Sequence, residues 1–336
     1  MRVAKKINVS VLVSVIVLVA VSLAVFFLIR GGSSDNGTKD KAVAGELILS
    51  DPEQVLMWEV TKPEGGKVYM AGSIHVGKEA MYPLNKLMLD AFDESEVLAV
   101  ETDVIAYESN YVAQLGIMQH VMYMDGTTLA DHISSDLLKR VDKKLSEKYE
   151  GMAVQQMHVF DAMALQQILL MDITEGVGLR VDLGIDRHFL EKAKERKMPI
   201  VEIESVLFQM KMMKDLPDET KELMIRTALD MEPKEAKSEL IKMIDLWMSG
   251  RAKDFEEYVR GTEEADMEEL SDREKELYRE YNQIVLTDRN VGMADKVEEL
   301  LKDGRTCFYV VGAAHYFGED GIIDLLVQRG YTVKKY

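Results

Sequence analysis

Six histidines occur in the 336 residues, and two of them stand in one repeated phrase. His75 lies in YMAGSIHVG (69–77) and His315 in YVVGAAHYFG (309–318). Each phrase is an apolar run, then Gly, two small or apolar residues, His, and another Gly two or three positions on. An apolar run that stops at Gly reads as a buried strand leaving a sheet, so each phrase delivers an imidazole to a strand end. A third apolar run, VLAVETD (97–103), ends in Glu101 and Asp103, and a fourth, PIVEIES (199–205), carries Glu202 and Glu204. Two neutral imidazoles with one or two carboxylates form a ligand set for Zn²⁺, Mn²⁺, Co²⁺ or Fe²⁺ that leaves a position for water. Such an ion generates a nucleophile near neutral pH without a Ser or Cys. Arg289 and Asn290, in LTDRN at an expected helix start, are candidates to hold a carboxylate or stabilise an oxyanion. Asp186 and Arg187 open another expected helix and form a candidate pair behind the ligands.

One strand–Gly–x–x–His alone carries little weight. Its recurrence, with an acidic strand end between the two copies, is what marks a site. His120, His132, His158 and His188 fall in helical stretches and read as ordinary helix faces. There is no Gly-x-Ser-x-Gly, phosphate-binding loop or His-Glu-x-x-His, which removes support for serine hydrolase, NTPase and zincin chemistry. The single cysteine, Cys307, sits inside an apolar strand and is expected in the core, so no internal disulfide forms.

The elements that must position these groups follow from periodicity. Residues 55–75 read as two short strands around a Pro-Glu-Gly-Gly turn, LNKLMLDAFDES as an amphipathic helix, and EVLAVETD as a buried strand. The middle is mostly helical, with apolar residues at three and four spacing over 128–150, 153–171, 219–245 and 252–285. Within it, residues 184–205 read as a helix, a Lys-Met-Pro turn and a strand ending in Glu204. At the C-terminus a helix, a Gly turn and an apolar strand lead to His315, followed by a last helix and strand. The implied fold is α/β in an α+β variant: a mostly parallel central sheet with flanking helices and a long helical insertion. Open sheets of this kind place their sites beyond the carboxyl ends of the strands. Gly72 and Gly312 are expected to allow a tight turn there. The chain's 22 methionines concentrate in the helical middle and read as adaptable packing material.

Ahead of this domain, residues 7–29 contain no charge, Gly or Pro and follow Arg2, Lys5 and Lys6. As a helix they span roughly 35 Å, enough to cross a bilayer core of about 30 Å. The run is longer than a cleaved signal needs, so it reads as a retained signal anchor. The expected organisation is a cytoplasmic tail (1–6), a transmembrane helix (7–29), a flexible linker (30–50) and an extracytoplasmic domain (51–336). The chain is then a single-pass protein of the cell membrane, oriented by its basic N-terminal flank. Beyond residue 41 the chain carries 35 basic and 57 acidic residues, which makes nucleic acid a poor partner.

The series YMAGSIHVG, VLAVETD, LGIDRHFLEKAKERKMPIVEIES, LTDRNVGMADKVEELLKDG and VVGAAHYFGEDGIIDLLVQRGYTV resembles the TraB/PrgY/GumN family from about Trp58 to the C-terminus. That family is similar to the Tiki metalloproteases of animals and, more distantly, to erythromycin esterase-like and haem-binding ChaN-like proteins. The resemblance implies a divalent-metal-dependent protease, Mn²⁺ or Co²⁺ being favoured and Zn²⁺ or Fe²⁺ admissible, that is tethered to a membrane and acts on extracellular peptides or proteins. Carried over by motif, His75, His315 and Glu101 match the metal-binding histidines and essential acid, Arg289 and Asn290 the Arg-Asn pair, and Glu204 the Glu closing its strand. Glu101 or Glu204 would then be the general base. Other members resemble inhibitors of peptide pheromones, which implies instead a surface protein that sequesters a signalling peptide without turnover. The ChaN-like relatives imply a third reading, haem held by an exposed His or Tyr.

Overall fold

The computed structural model describes residues 54–61, 65–147, 152–268 and 270–336. The expected tail, membrane helix and linker lie outside these residues. Among the described residues no helix is long and apolar enough to cross a membrane.

Among the described residues six strands form one mixed sheet: β1 (Met57–Thr61), β2 (Lys67–Ser73), β3 (Val97–Val100), β4 (Ile200–Glu202), β5 (Thr306–Gly312) and β6 (Val333–Lys335). Their spatial order is β4-β3-β5-β2-β1-β6. The four strands β4, β3, β5 and β2 run parallel, and β1 is antiparallel to both β2 and β6. The parallel strands read as short unbroken apolar runs because helices cover both faces. All four residues of β3 and the last six of β5 are buried. On one face Phe308 packs against Phe92 and Phe189, from the helices Lys86–Glu94 and Ile185–Arg196. On the other, the Tyr309 hydroxyl donates to the Met293 carbonyl of the helix Asp288–Asp303. Cys307 is buried in β5, and burial pushes its thiol up to about 12.

The expected short strands, the helix at Lys86–Glu94, and the closing helix Ile322–Gln328 with its strand are all present. A glycine in the left-handed region, Gly304 at φ 84°, ends the helix that precedes β5. The helical middle is more broken than its periodicity suggests. The 219–245 stretch is two helices, Asp218–Asp230 and Pro233–Ser249, because Pro233 has no amide hydrogen to continue the first and occupies the opening turn of the second. The 252–285 stretch is likewise interrupted at Ser271, which forms a reciprocal cap with Glu274 and starts the helix Asp272–Asn282. Asp161, whose carboxylate accepts the Met163 amide, breaks 153–171 ahead of the helix Ala162–Glu175. The 128–150 stretch is a single turn, Leu129–His132, followed by the helix Ser135–Leu145. Finally, β4 ends at Glu202, so Glu204 stands two residues beyond the strand and not at its last position.

Candidate functional site

His75 follows β2, Glu101 follows β3, Glu204 follows β4, and His315 lies in the short 3-10 turn Ala313–Tyr316 that follows β5. Four neighbouring parallel strands therefore release their site residues at the same edge, as the general rule for open sheets anticipates. Glu101 Oε1 is 3.7 Å from His75 Nε2 and 4.0 Å from His315 Nε2. All three residues are at most 5% exposed.

Gly312 explains how three side chains meet over one strand end. Its φ of −50° and ψ of 134° suit any residue, so no tight turn requires glycine here. A methyl group at this position would stand 3.3 Å from Glu101 Oε1, 3.6 Å from His315 Cδ2 and 3.7 Å from His75 Nε2. The glycine thus leaves open the space onto which the three groups converge, and its amide donates to Glu101 Oε1 at 2.6 Å. The later glycine of the first phrase serves a close approach. A Cβ on Gly77 would lie 2.0 Å from the Leu183 carbonyl oxygen, and one on Gly184 would lie 2.4 Å from that of His75. Backbone bonds Gly77–Arg180 and Ile185–Ile74 clamp these segments together, which brings Asp186 beside His75.

Each imidazole is oriented by its other nitrogen. His75 Nδ1 lies 2.8 Å from Asp186 Oδ1, a carboxylate that can only accept. His315 Nδ1 lies 2.6 Å from Asn290 Oδ1. The Asn290 amide is fixed in turn, because its Nδ2 donates to the Asp320 carbonyl at 2.9 Å. Both Nδ1 atoms therefore carry the hydrogen, and both Nε2 atoms present lone pairs in the neutral rings. Among the described residues neither Nε2 has a hydrogen-bond partner, although both are buried.

The far side of Glu101 is held by Arg289, whose Nη2 donates to Glu101 Oε2 at 2.7 Å and to Glu204 Oε2 at 2.8 Å. Its Nε also donates to Glu204 Oε1, and its Nη1 to the Val285 carbonyl. That carbonyl belongs to a π-helical turn, Gln283–Thr287, where the wider winding disturbs the regular backbone bonding. Gln209, from the Met-rich helix Val206–Lys214, donates to both Glu101 and Glu204. Four of the five guanidinium N–H groups are taken by Glu101, Glu204 and the Val285 carbonyl, so Arg289 positions Glu101.

Burial opposes the charged form of His75, yet the Asp186 carboxylate, through its charge and hydrogen bond, outweighs burial with help from Glu101 and raises the pKa. Burial, reinforced by the Arg289 charge, holds His315 well below the usual range. Burial likewise opposes Arg289, but Glu101 and Glu204 overcome it and strengthen its protonation. Glu101, Glu204 and Asp186 against one guanidinium leave two formal negative charges, a surplus that favours a cation.

Two predicted residues stand apart. Asp103 caps the helix Val104–Glu108 through the Ala106 amide and pairs with Lys194 at 2.7 Å. Arg187 grips Glu108 with two hydrogen bonds of 2.6 and 3.0 Å and also reaches Glu191. Both brace the sheet edge and touch none of the converging groups; Asp103 is turned to its cap and Lys194, and Arg187 points away from His75 because adjacent positions on a helix point in different directions. Gln209 was missed: it is one polar residue in LFQMKMMK, and only the helix–sheet packing turns it inward.

The donor set fits a divalent ion. Two lone-pair nitrogens, one carboxylate oxygen and a surplus of negative charge are the chemistry such an ion needs. The spacing is slightly open. Ligands of a tetrahedral ion with bonds of about 2.1 Å stand about 3.4 Å apart, a few tenths of an ångström closer than these pairs. Accordingly, among the described residues no three His, Cys, Asp or Glu side chains are closed around one point at coordination distance.

The chain is 24% identical over 270 residues to the uncharacterized protein YbaP of Escherichia coli strain K12, covering 80% of this chain and 90% of that protein. It is 22% identical over 287 residues to an uncharacterized protein of Treponema pallidum strain Nichols, covering 84% of this chain and 82% of that protein. No solved structure matches the chain. The TraB/PrgY/gumN family profile matches residues 56–335, a span that holds all six strands and every converging residue, and the chain belongs to this family.

Proposed function

We propose that this protein is a divalent-metal-dependent hydrolase, a peptidase acting on extracellular peptides or proteins and tethered to the membrane by residues 7–29. The observation that carries the reading is the pair of buried, unpartnered Nε2 atoms of His75 and His315, both turned toward Glu101 Oε1. A buried polar atom without a partner costs about 1–3 kcal/mol, and two at one point are explained by a ligand that uses both.

His75, His315 and Glu101 would hold the ion, Mn²⁺ or Co²⁺ before Zn²⁺ or Fe²⁺. A divalent ion so held supplies Lewis acidity and acidifies water toward neutral pH. Asp186 and Asn290 keep each Nδ1 protonated and each Nε2 available. Arg289 and Gln209 pin Glu101 Oε2, which leaves Oε1 to face the histidines. Both carboxylates are hydrogen-bonded at both oxygens, Glu204 by Arg289 and Gln209 and Glu101 by Arg289, Gln209 and the Gly312 amide, and Glu101 or Glu204 would receive the proton as general base.

A polypeptide substrate is supported by the surface next to the cluster. Leu207 and Phe208, which precede Gln209 on its helix, are 48% and 49% exposed, and Tyr111 and Val112 on the helix Tyr111–Val121, which packs on it, are 71% and 77% exposed. Open apolar surface of this kind suits a peptide. It also fits the second reading, a protein that binds and sequesters a signalling peptide without turnover.

The two readings separate in one experiment. The full chain, purified in detergent without chelator, is incubated with a mixed peptide library with and without added Mn²⁺ or Co²⁺. Metal-dependent cleavage that His75→Ala and His315→Ala both lose supports the hydrolase. Peptides that bind and are recovered intact support sequestration, and activity retained in both variants sinks the site assignment.

A further inference from the structure

Three buried side-chain atoms that have no partner among the described residues lie at the ends of β2 and β5: His75 Nε2, His315 Nε2 and the Ser73 hydroxyl. Ser73 is the last residue of β2 and is 0% exposed. A hydroxyl can rotate to suit almost any neighbour, so one left unsatisfied inside a protein asks for an explanation.

The sheet register supplies it. In the parallel pair of β2 and β5, Ser73 stands directly opposite Gly312. Registered residues on neighbouring strands direct their side chains to the same face. Tyr69 opposite Phe308 and Ala71 opposite Val310 precede this pair on that face. The face at Gly312 is the one on which Glu101 Oε1, His315 and His75 Nε2 converge, as the contacts of an added methyl define. Neighbouring strands lie about 4.8 Å apart. Ser73 thus flanks the open space from the β2 side, while Glu101 flanks it from the β3 side.

We propose that the Ser73 hydroxyl is a fourth donor to this space, an uncharged oxygen that joins His75, His315 and Glu101 in holding a divalent cation. The inference rests on the metal-binding reading of the site and adds a preference to it. Two nitrogens and two oxygens form a harder set than two histidines and one carboxylate. Oxygen donors suit Mn²⁺ or Mg²⁺, whereas imidazole suffices for Zn²⁺. The serine tilts the site toward Mn²⁺.

The test measures ion affinity and needs no substrate. The full chain in detergent is stripped of metal, and Mn²⁺ binding is followed by the electron paramagnetic resonance signal of the free ion. Zn²⁺ binding is followed by competition with a chromogenic chelator. Ser73→Ala is expected to weaken Mn²⁺ by about tenfold or more and Zn²⁺ by less than roughly threefold. Ser73→Thr, which keeps the hydroxyl, is expected to stay near wild type. The metal-free alanine variant should melt no lower than wild type, since it sheds an unpartnered buried hydroxyl. Unchanged affinity for both ions in Ser73→Ala overturns the proposal, and so do equal losses for both ions with a lowered melting point, the mark of a packing role. If the wild-type chain binds neither ion, the metal-binding reading itself fails and this inference falls with it.

Discussion

Substituting Gly312 with Ala fills the proposed site without removing any of its ligands. The backbone at this position, φ −50° and ψ 134°, accepts alanine without strain. The added carbon meets Glu101 Oε1 at 3.3 Å, His315 Cδ2 at 3.6 Å and His75 Nε2 at 3.7 Å. Only the first is tighter than ordinary van der Waals contact, and a small carboxylate movement relieves it. Gly→Ala at a compatible position gains about 0.4–1 kcal/mol through the unfolded chain, which offsets much of that crowding. The net stability change should stay within about 1 kcal/mol, or about 2–4 °C in Tm for a domain of this size. Ion binding should fare very differently, because a methyl group then stands where the donors converge. Isothermal titration of metal-free Gly312→Ala with Mn²⁺ or Co²⁺ should show affinity reduced by at least about a hundredfold, or more than about 2.7 kcal/mol. Wild-type affinity in a well-folded variant would refute the argument that this space is the ion site. A collapse in Tm would refute the packing argument.

Other perturbations probe the supports. Asp186→Asn retains an oxygen for the His75 Nδ1 hydrogen but removes the charge, and should weaken the ion about 10–100-fold with an unchanged circular dichroism spectrum. Arg289→Met leaves Glu101 and Glu204 buried without their cation, at about 3–5 kcal/mol; thermal melting should fall by more than about 6 °C, and a divalent ion should restore part of the loss. Gly184→Ala drives a carbon against the His75 carbonyl at 2.4 Å and should lower both Tm and ion affinity. Gly292→Ala, with nothing within 4 Å and a helical position, should instead raise stability by roughly 1 kcal/mol without changing affinity.

The edge of the sheet that carries the site was readable because its signals are local. Short apolar runs ending in Gly or acid identify β2, β3 and β5, and their last residues place His75, Glu101 and His315. The doubled phrase is thereby accounted for: two neighbouring parallel strands each deliver one imidazole to the same space. The sequence reading did misjudge what the glycines do. Gly312 is required for the side chain it lacks, while Gly77 and Gly184 mark two segments pressed against each other, a relation between positions a hundred residues apart. Distance in the chain also hid the sorting of supports. Asp186 and Arg187 are adjacent in sequence, yet the first turns to His75 and the second to Glu108. Gln209 had no local signal, because a polar residue in a Met-rich helix faces a carboxylate only after that helix docks. The broken helices of the middle reflect single capping residues, Pro233 and Ser271, overriding an apolar period that runs straight through them.

Holding Glu101 calls for buried charge that is costly unless paired. Arg289 meets that need with two carboxylates and one backbone carbonyl, so the acid is fixed from behind while its other oxygen stays turned to the histidines. The arrangement is rigid on the protein side and open on the side where two lone pairs point.

The most direct test of that arrangement is a Co²⁺ titration of the metal-free full chain, followed by visible absorption, in wild type and in His75→Ala and His315→Ala. A cluster built from both imidazoles and Glu101 predicts saturation at one ion per chain in the wild type, with the ligand-field bands lost in each variant. No saturable absorption in the wild type, or bands that persist in either variant, would contradict it.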